Sequence, residues 1–495
     1  MLRFLVKPAD GHKLTTELHG AHLYGADGVP VRADVRYADG QIICDAKSQT
    51  PLGLSLLWPV AGVGVVQLET TRLPLRREPY HLHLELARHR LMRISLKREE
   101  WGLFDYSGME EISASIDQAR DSFVAAMEAQ PDVSAVARLS DRSLEQSVLA
   151  SERMSRFHAS VFLGRRHQSG GFSRQFLGAA APPVANKTAL LRRAAEVIDF
   201  LRIPMTWREL QPKEQEFRYD NVDEWLKAAT PAKMPMRAGP LLNFGVRSVP
   251  DWMYIWENDI DSILDYARDH VRRTVQRYAA QVNSWTVVSG LHADAVFPFT
   301  FEQIIELTRM AATVTKQTAP RCQVILDITQ PFGEYYARNQ RTIPPLLYAD
   351  MIVQSGLPFD AFGLQFLFGI DSEGFHLRDL LQVSALIDRL AQLGKPLHIT
   401  GVGVPSQPES DAGGIAPGGE WHGPWNEETQ ANWLEAFIEI AMSKPYVECV
   451  CVDALVDGPS AGVAHGGILR EDLSPKLAFK RLADIRKRLQ SEPQK

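Results

Sequence analysis

Cysteine is scarce in this chain. Cys44, Cys322, Cys449 and Cys451 are the only four among 495 residues, too few for a disulfide framework and suited to a reducing compartment. Apolar runs long enough to span a bilayer, roughly 18 residues or more, are missing, so no membrane-spanning helix is expected. The opening Met1-Leu-Arg-Phe-Leu-Val-Lys-Pro8 lacks the apolar stretch of a secretory signal. Neither sign of charge dominates. A formal charge of −6 gives no reason to expect nucleic acid or an anionic membrane as partner. Internal repeats and low-complexity segments are absent. The expectation is a soluble cytoplasmic protein without a cofactor, in an oligomeric state the sequence does not specify.

What is present is ordinary globular material, 45% hydrophobic and 23% charged, in a chain longer than one typical domain. Three regions differ in pattern. Over residues 1–76, turns at Ala26-Asp-Gly28 and Ala38-Asp-Gly40 separate short runs at 29–37, 41–44 and 63–69. Short strands at this spacing predict a β-sandwich-like domain, in outline a carbohydrate-binding module. Over 77–168 the period becomes 3.6: Leu84, Ala87, Leu91 and Ile94 share a face, and apolar spacing returns from Ile112 to Met127 and from Leu144 to Val161. Three helices are expected there, with Pro131 and an N-cap at Asp141 dividing the second from the third. His81, His83 and Glu85 alternate at the change of pattern. On a strand they would offer three metal ligands on one face; the plainer reading is a solvated helix start beside Arg88-His-Arg90. Cys449 and Cys451 also alternate, either as a metal pair or, more simply, as small core residues. No metal site is expected.

Residues 169–495 carry motifs in a definite order. They are Gln175-Phe-Leu-Gly-Ala-Ala-Ala-Pro-Pro183, Pro204-Met-Thr-Trp-Arg-Glu-Leu-Gln-Pro212, Glu216-Phe-Arg-Tyr219, Arg277-Tyr278 and Val282-Asn-Ser-Trp-Thr-Val-Val-Ser-Gly290. Phe362-Gly-Leu-Gln365, Pro396-Leu-His-Ile-Thr-Gly-Val-Gly-Val404, Asp453-Ala-Leu-Val-Asp-Gly458 and Ser474-Pro-Lys-Leu-Ala478 follow. In this order they resemble glycoside hydrolase family 10, the β-1,4-xylanases. The resemblance implies an α/β protein whose (β/α)₈ TIM barrel is preceded by the β-sandwich-like domain and the helical segment.

It also implies a loss. Where the family reads Trp-Asp-Val-Val-Asn-Glu on strand four, ending in the general acid/base, this chain reads Trp285-Thr-Val-Val-Ser289-Gly290. Where the family's Thr-Glu-Leu-Asp on strand seven carries the nucleophile, this chain reads Thr400-Gly401-Val402-Gly403. Supporting residues change as well. Thr206 stands for a lysine, Asn243 and Phe244 for a tryptophan and a histidine, Leu367 for a histidine, and Asp453 and Ala461 for two tryptophans. A retaining glycosidase needs two carboxyl groups about 5 Å apart, one to protonate the leaving oxygen and one to attack. Glycine supplies neither, and loss of proton transfer alone typically costs on the order of 10²–10⁴ in rate.

Three readings follow. The first is a carbohydrate-binding pseudoenzyme. The second is an active hydrolase with relocated carboxylates drawn from Glu209, Asp294, Asp327, Glu420, Asp453 and Asp457. The third is a scaffold. For the first, Gln365 and His292 are the expected polar ligand groups, and Trp421 and Trp425 the stacking surfaces, in a glycine-rich loop, residues 411–425, long enough for a lid. Trp252, Tyr254, Trp256, Phe297, Phe299, Tyr335 and Tyr336 are further aromatic candidates, each either a ligand platform or a plug in the emptied cleft.

Overall fold

The computed structural model describes residues 1–7, 18–408 and 416–491; of the glycine-rich loop, 411–415 lie outside the described residues. Eight short strands come first: β1 (Leu2–Leu5), β2 (His22–Tyr24), β3 (Pro30–Val31), β4 (Asp34–Ala38), β5 (Gln41–Asp45), β6 (Gly53–Val60), β7 (Gly64–Glu69) and β8 (Tyr80–His81). One sheet runs β4-β5-β1-β8, and the other contains β7-β6-β2-β3. Helices α1 (Leu82–Glu100), α2 (Glu110–Glu128) and α3 (Val133–Gln168) follow.

The third helix corrects one expectation. Asp141 lies inside it rather than at its start, because Asp132, directly after Pro131, accepts from the N–H groups of Ser134 and Ala135 and caps the helix. Asp141 instead meets His83 Nδ1 at 2.6 Å. That contact ties α3 to α1, and His81 alone of the alternating trio belongs to a strand.

Beyond residue 176 the chain closes a parallel barrel. Its strands are β9 (Leu177–Ala180), β10 (Phe200–Ile203), β11 (Met236–Ala238), β12 (Ser284–Ser289), β13 (Gln323–Ile328), β14 (Ala361–Leu367) and β15 (Leu397–Gly403). After the two-residue β16 (Glu420–Trp421), β17 (Val447–Val452) pairs back onto β9. Helices separate the strands and cover the barrel, so each strand is buried on both faces. This explains runs such as Val-Ile-Leu in β13 and Trp-Thr-Val-Val in β12, where alternation would mark a half-exposed strand. The pairing slips by one residue at Val287, between β12 and β13, and around Thr400 and Gly401 in β15. Such bulges re-aim side chains, and both lie in the strands that lead to the two glycines.

The N-terminal sheets are joined to the barrel. Strand β16 leaves the loop after β15 and extends the second sheet by pairing antiparallel with β7, Trp421 opposite Gly64. Behind it Trp421 Nε1 donates to Glu152 of α3 at 2.8 Å. Arg90 of α1 reaches Asp379, which also caps the helix Leu380–Ala391, with Nη1 3.1 Å from Oδ1 and Nη2 paired to Oδ2. Both side chains are buried. Removing one partner of such a pair strands a charge in a dry site, which costs about 3–5 kcal/mol. Arg90→Ala is therefore expected to lower unfolding stability by about that amount in urea titration, whereas a loss under about 1 kcal/mol would mean that Asp379 is satisfied by the helix N–H groups alone.

Candidate active site

Gly290 directly follows β12, and Gly401 sits within β15, at the ends of the strands where barrel sites are built. A side chain at 401 would emerge between Asp453 Oδ1, 3.4 Å from its Cβ position, and Gln365. One at 290 would meet Thr329 Oγ1 at 3.3 Å and Asn243 Nδ2 at 3.9 Å. The backbone at 290 has φ +73°, a left-handed conformation that glycine adopts freely and a glutamate would adopt under strain.

Between these positions lies a polar layer. Asp327, on β13, is buried inside the barrel. Its Oδ1 accepts from Thr400 Oγ1 at 2.7 Å, and its Oδ2 from Gln365 Nε2 at 2.7 Å and Ser289 Oγ at 3.3 Å. Burial nevertheless raises its pKa, against the pull of those donors and of the nearby Arg202 charge. The neighbouring residue on β14 must be Gly363: a Cβ there would lie 1.7 Å from Asp327 Oδ1. Just after β17, Asp453 accepts from the Gly462 N–H at 2.9 Å and lies 3.7 Å from Arg202 Nη2. Arg202 escaped the reading of the sequence. Its signal was a single cation inside the strand Phe200-Leu-Arg-Ile203, a placement that demands buried anions.

The structure thus brings Gln365, Asp327 and Asp453 together near Gly401. Glu209 is exposed on the turn Trp207–Leu210 after β10, and Asp294, also exposed, donates its N–H to the Gly290 carbonyl at 2.9 Å. Asp457 is committed elsewhere, to Lys476 Nζ at 2.7 Å and the Gly467 N–H at 2.9 Å. Glu420 stands on β16 beside Val65, in the N-terminal sheet.

The expected ring contacts need correction. His292 is fully buried, with Nε2 3.1 Å from the Thr329 carbonyl and its ring stacked on Tyr348 at 4.7 Å, so it packs the wall beneath the mouth. Trp421 is buried against Glu152, and Trp425 is buried with Nε1 donating to Gly419 O at 2.8 Å, which leaves neither indole a free face for a ligand. Phe297, Phe299 and Tyr335 are buried too. Trp252 and Trp256 are half-buried against Tyr266. Tyr254, 37% exposed on the turn after β11, keeps an open ring and packs edge-on against Phe297.

Ordered motifs and this barrel agree with comparison to known proteins. The model of glycosyl hydrolase family 10 matches residues 181–484. The chain belongs to that family. It is similar to an endo-1,4-beta-xylanase of Geobacillus stearothermophilus, at 24% identity over 45% of this chain and 67% of that protein. It is also similar to the solved xylanase 10B of Thermotoga petrophila RKU-1 in complex with xylobiose, at 16% identity, TM-score 0.48, over 66% of this chain and 96% of that one. The family 10 structure from Paenibacillus barcinonensis aligns at 18% identity, TM-score 0.49, over the same shares. Among the described residues of this family 10 barrel, no helix is long and apolar enough to cross a membrane.

Burial holds His292 down at about 4, although its bond to Thr329 favours the charged form. Its folded pKa lies below the unfolded value of about 6.5, so the unfolded chain binds the extra proton first and stability falls as pH drops from about 6.5 toward 4. The loss is about 1.4 kcal/mol per pH unit from this ring. In His292→Phe, unfolding free energy measured over that window is expected to fall less steeply by about this slope; an unchanged slope would show the ring to be protonated and exposed.

Proposed function

We propose that this family 10 chain has lost the retaining hydrolysis of its relatives and keeps the barrel mouth for binding a β-1,4-linked oligosaccharide. One observation carries the reading: the positions that resemblance assigns to the acid/base and the nucleophile are Gly290 and Gly401, and the two acids near Gly401 are engaged. Asp327 is sealed by Thr400, Gln365 and Ser289, and Asp453 is held by Arg202 and the Gly462 N–H. A buried, saturated carboxylate does not reach a glycosidic oxygen. The two glycines widen the mouth, while Gln365, Asn243 and Asp453 supply polar edges and Tyr254 an exposed ring. The sugar class follows from family membership and from the endo-1,4-beta-xylanase relative.

A second reading, hydrolysis with relocated carboxylates, is favoured by one feature. Asp453 Oδ1 lies 3.4 Å from where a side chain at 401 would start, close to the region that a nucleophile at 401 would occupy, and Asp294 is an exposed acid just beyond Gly290.

Calorimetry with xylobiose and longer xylo-oligosaccharides, run beside a reducing-sugar assay on xylan, separates the two. The expected outcome is binding without release of reducing ends. Gln365→Ala should weaken binding about fivefold, the worth of one hydrogen bond of about 1 kcal/mol. Turnover that disappears in Asp453→Asn would establish the hydrolytic reading, and absence of both binding and turnover would leave the barrel as a scaffold.

A further inference from the structure

At the end of the barrel opposite the two glycines, four strands begin with polar residues that point inward. Arg237 is the second residue of β11, His398 the second of β15, Gln323 the first of β13, and Cys449 the third of β17. Arg237 Nη1 donates to Cys449 Sγ at 2.7 Å, and the same nitrogen lies 3.3 Å from His398 Nδ1. The His398 ring acts electrostatically on the same sulfur. Its other nitrogen, Nε2, is 2.7 Å from Glu448 Oε2, a carboxylate that Gln323 Nε2 holds at 3.2 Å. Phe200 packs against the assembly, with the Arg237 guanidinium 3.8 Å from its ring centroid. A nucleophile, an imidazole beside it, a carboxylate orienting that imidazole and a fixed cation are the parts of an activated cysteine.

The other three thiols lack this setting. Burial pushes Cys44 up to about 12 and Cys451 up to about 11, and it raises Cys322. Burial acts in the same sense on Cys449, but the Arg237 charge and then His398 outweigh it and bring the thiol down to about 7. His398 is lowered by burial and held up by Cys449 and Glu448, to about 9. Arg202, the next cation along the interior, interacts with Cys451 one layer above. Only Cys449 therefore has a sulfur that favours the ionised form near neutral pH. Cys449 is 1% exposed and lies under the half-buried Arg237 side chain.

We propose that Cys449 is a modification site whose thiolate reacts with hydrogen peroxide, with His398 as the proton donor. In this step an S–O bond forms as the O–O bond breaks. The sulfur is oxidised by two electrons to a sulfenic acid, and the departing hydroxide takes the His398 proton and leaves as water. Arg237 remains to hold the product oxygen.

The test uses the whole protein. A pH difference spectrum near 240 nm, wild type minus Cys449→Ser, should show one thiolate appearing with a midpoint near 7. Peptide mapping after brief iodoacetamide treatment should find Cys449 labelled at least about tenfold faster than Cys451, in line with its larger thiolate fraction. Peroxide followed by dimedone should tag the same peptide. His398→Gln should slow peroxide oxidation at least about tenfold more than it slows alkylation, because only the peroxide step needs a proton donor. Thermal melting establishes which variants are folded; if His398→Gln is not, the wild-type labelling pattern decides alone. Cys449 labelled no faster than Cys451, or left as a free thiol by peroxide in the folded protein, overturns the proposal.

Discussion

Asp327 is a carboxylate removed from water and held in the barrel interior by side chains from three other strands, Ser289, Gln365 and Thr400. An isolated buried carboxylate is expensive, and the cost falls only if nearly every lone pair finds a donor. That demand propagates. It fixes Thr400 and Gln365 on adjacent strands, requires glycine at 363 where any Cβ would strike Oδ1, and calls for the cation Arg202 on the far side. Arg202 in turn orients Asp453, whose Oδ1 lies 3.4 Å from the Cβ position of a side chain at 401. The chemistry open to the mouth is thus set by a polar layer whose first duty is to satisfy one buried charge.

Much of this architecture was legible because barrel strands announce themselves locally. Buried runs such as Val324-Ile-Leu326 and the order of the motifs depend on residues a few positions apart. What could not be read depends on contacts made across the chain. Trp421 and Trp425 looked like cleft aromatics because their loop follows the seventh strand, yet Trp421 is drawn to Glu152, 269 residues earlier, by its indole N–H. His292 follows Gly290 directly enough to suggest the mouth, but its ring turns down onto Tyr348, a contact decided by the packing of the helix Pro345–Gln354. The Asp141 cap failed for a more local reason: α3 begins at the first available acceptor, Asp132, and meets no glycine or proline until near its end. Gln365 was expected on the sixth strand as a polar ligand group, and its donation to Asp327 was hidden by the unrecognised need of that carboxylate.

The barrel interior is unusual in carrying charge at both ends. Above, Arg202 faces Asp453 and Asp327; below, Arg237 and His398 face Cys449 and Glu448. Phe200 and Cys451 pack between, and two cations on neighbouring strands avoid mutual repulsion because each has its own anion or thiolate. In such a column the sulfur at 449 is more than a small core residue. A neutral thiol there would leave Arg237 with a weak acceptor in a buried site, so the cation itself supplies the free energy that favours ionisation.

The N-terminal strands and helices bear on the mouth through the loops they hold. Strand β16 fastens the segment after β15 to β7, and Trp425, six residues beyond Gly419, closes that segment onto the residue whose carbonyl it bonds. Arg378, in the loop after β14, pairs with Glu334 from the loop after β13 and reaches Glu69 of β7 at 3.4 Å. Against the cost of burial, Arg378 and then His376 keep the Glu334 carboxyl ionised. Two loops that a hydrolase of this architecture would use to shape its cleft are therefore tied to the N-terminal sheet by buried polar contacts, which have few alternatives of equal energy. A mouth held this way has its shape before any ligand arrives, and such preorganisation lowers the ordering cost that the proposed oligosaccharide would otherwise meet on binding.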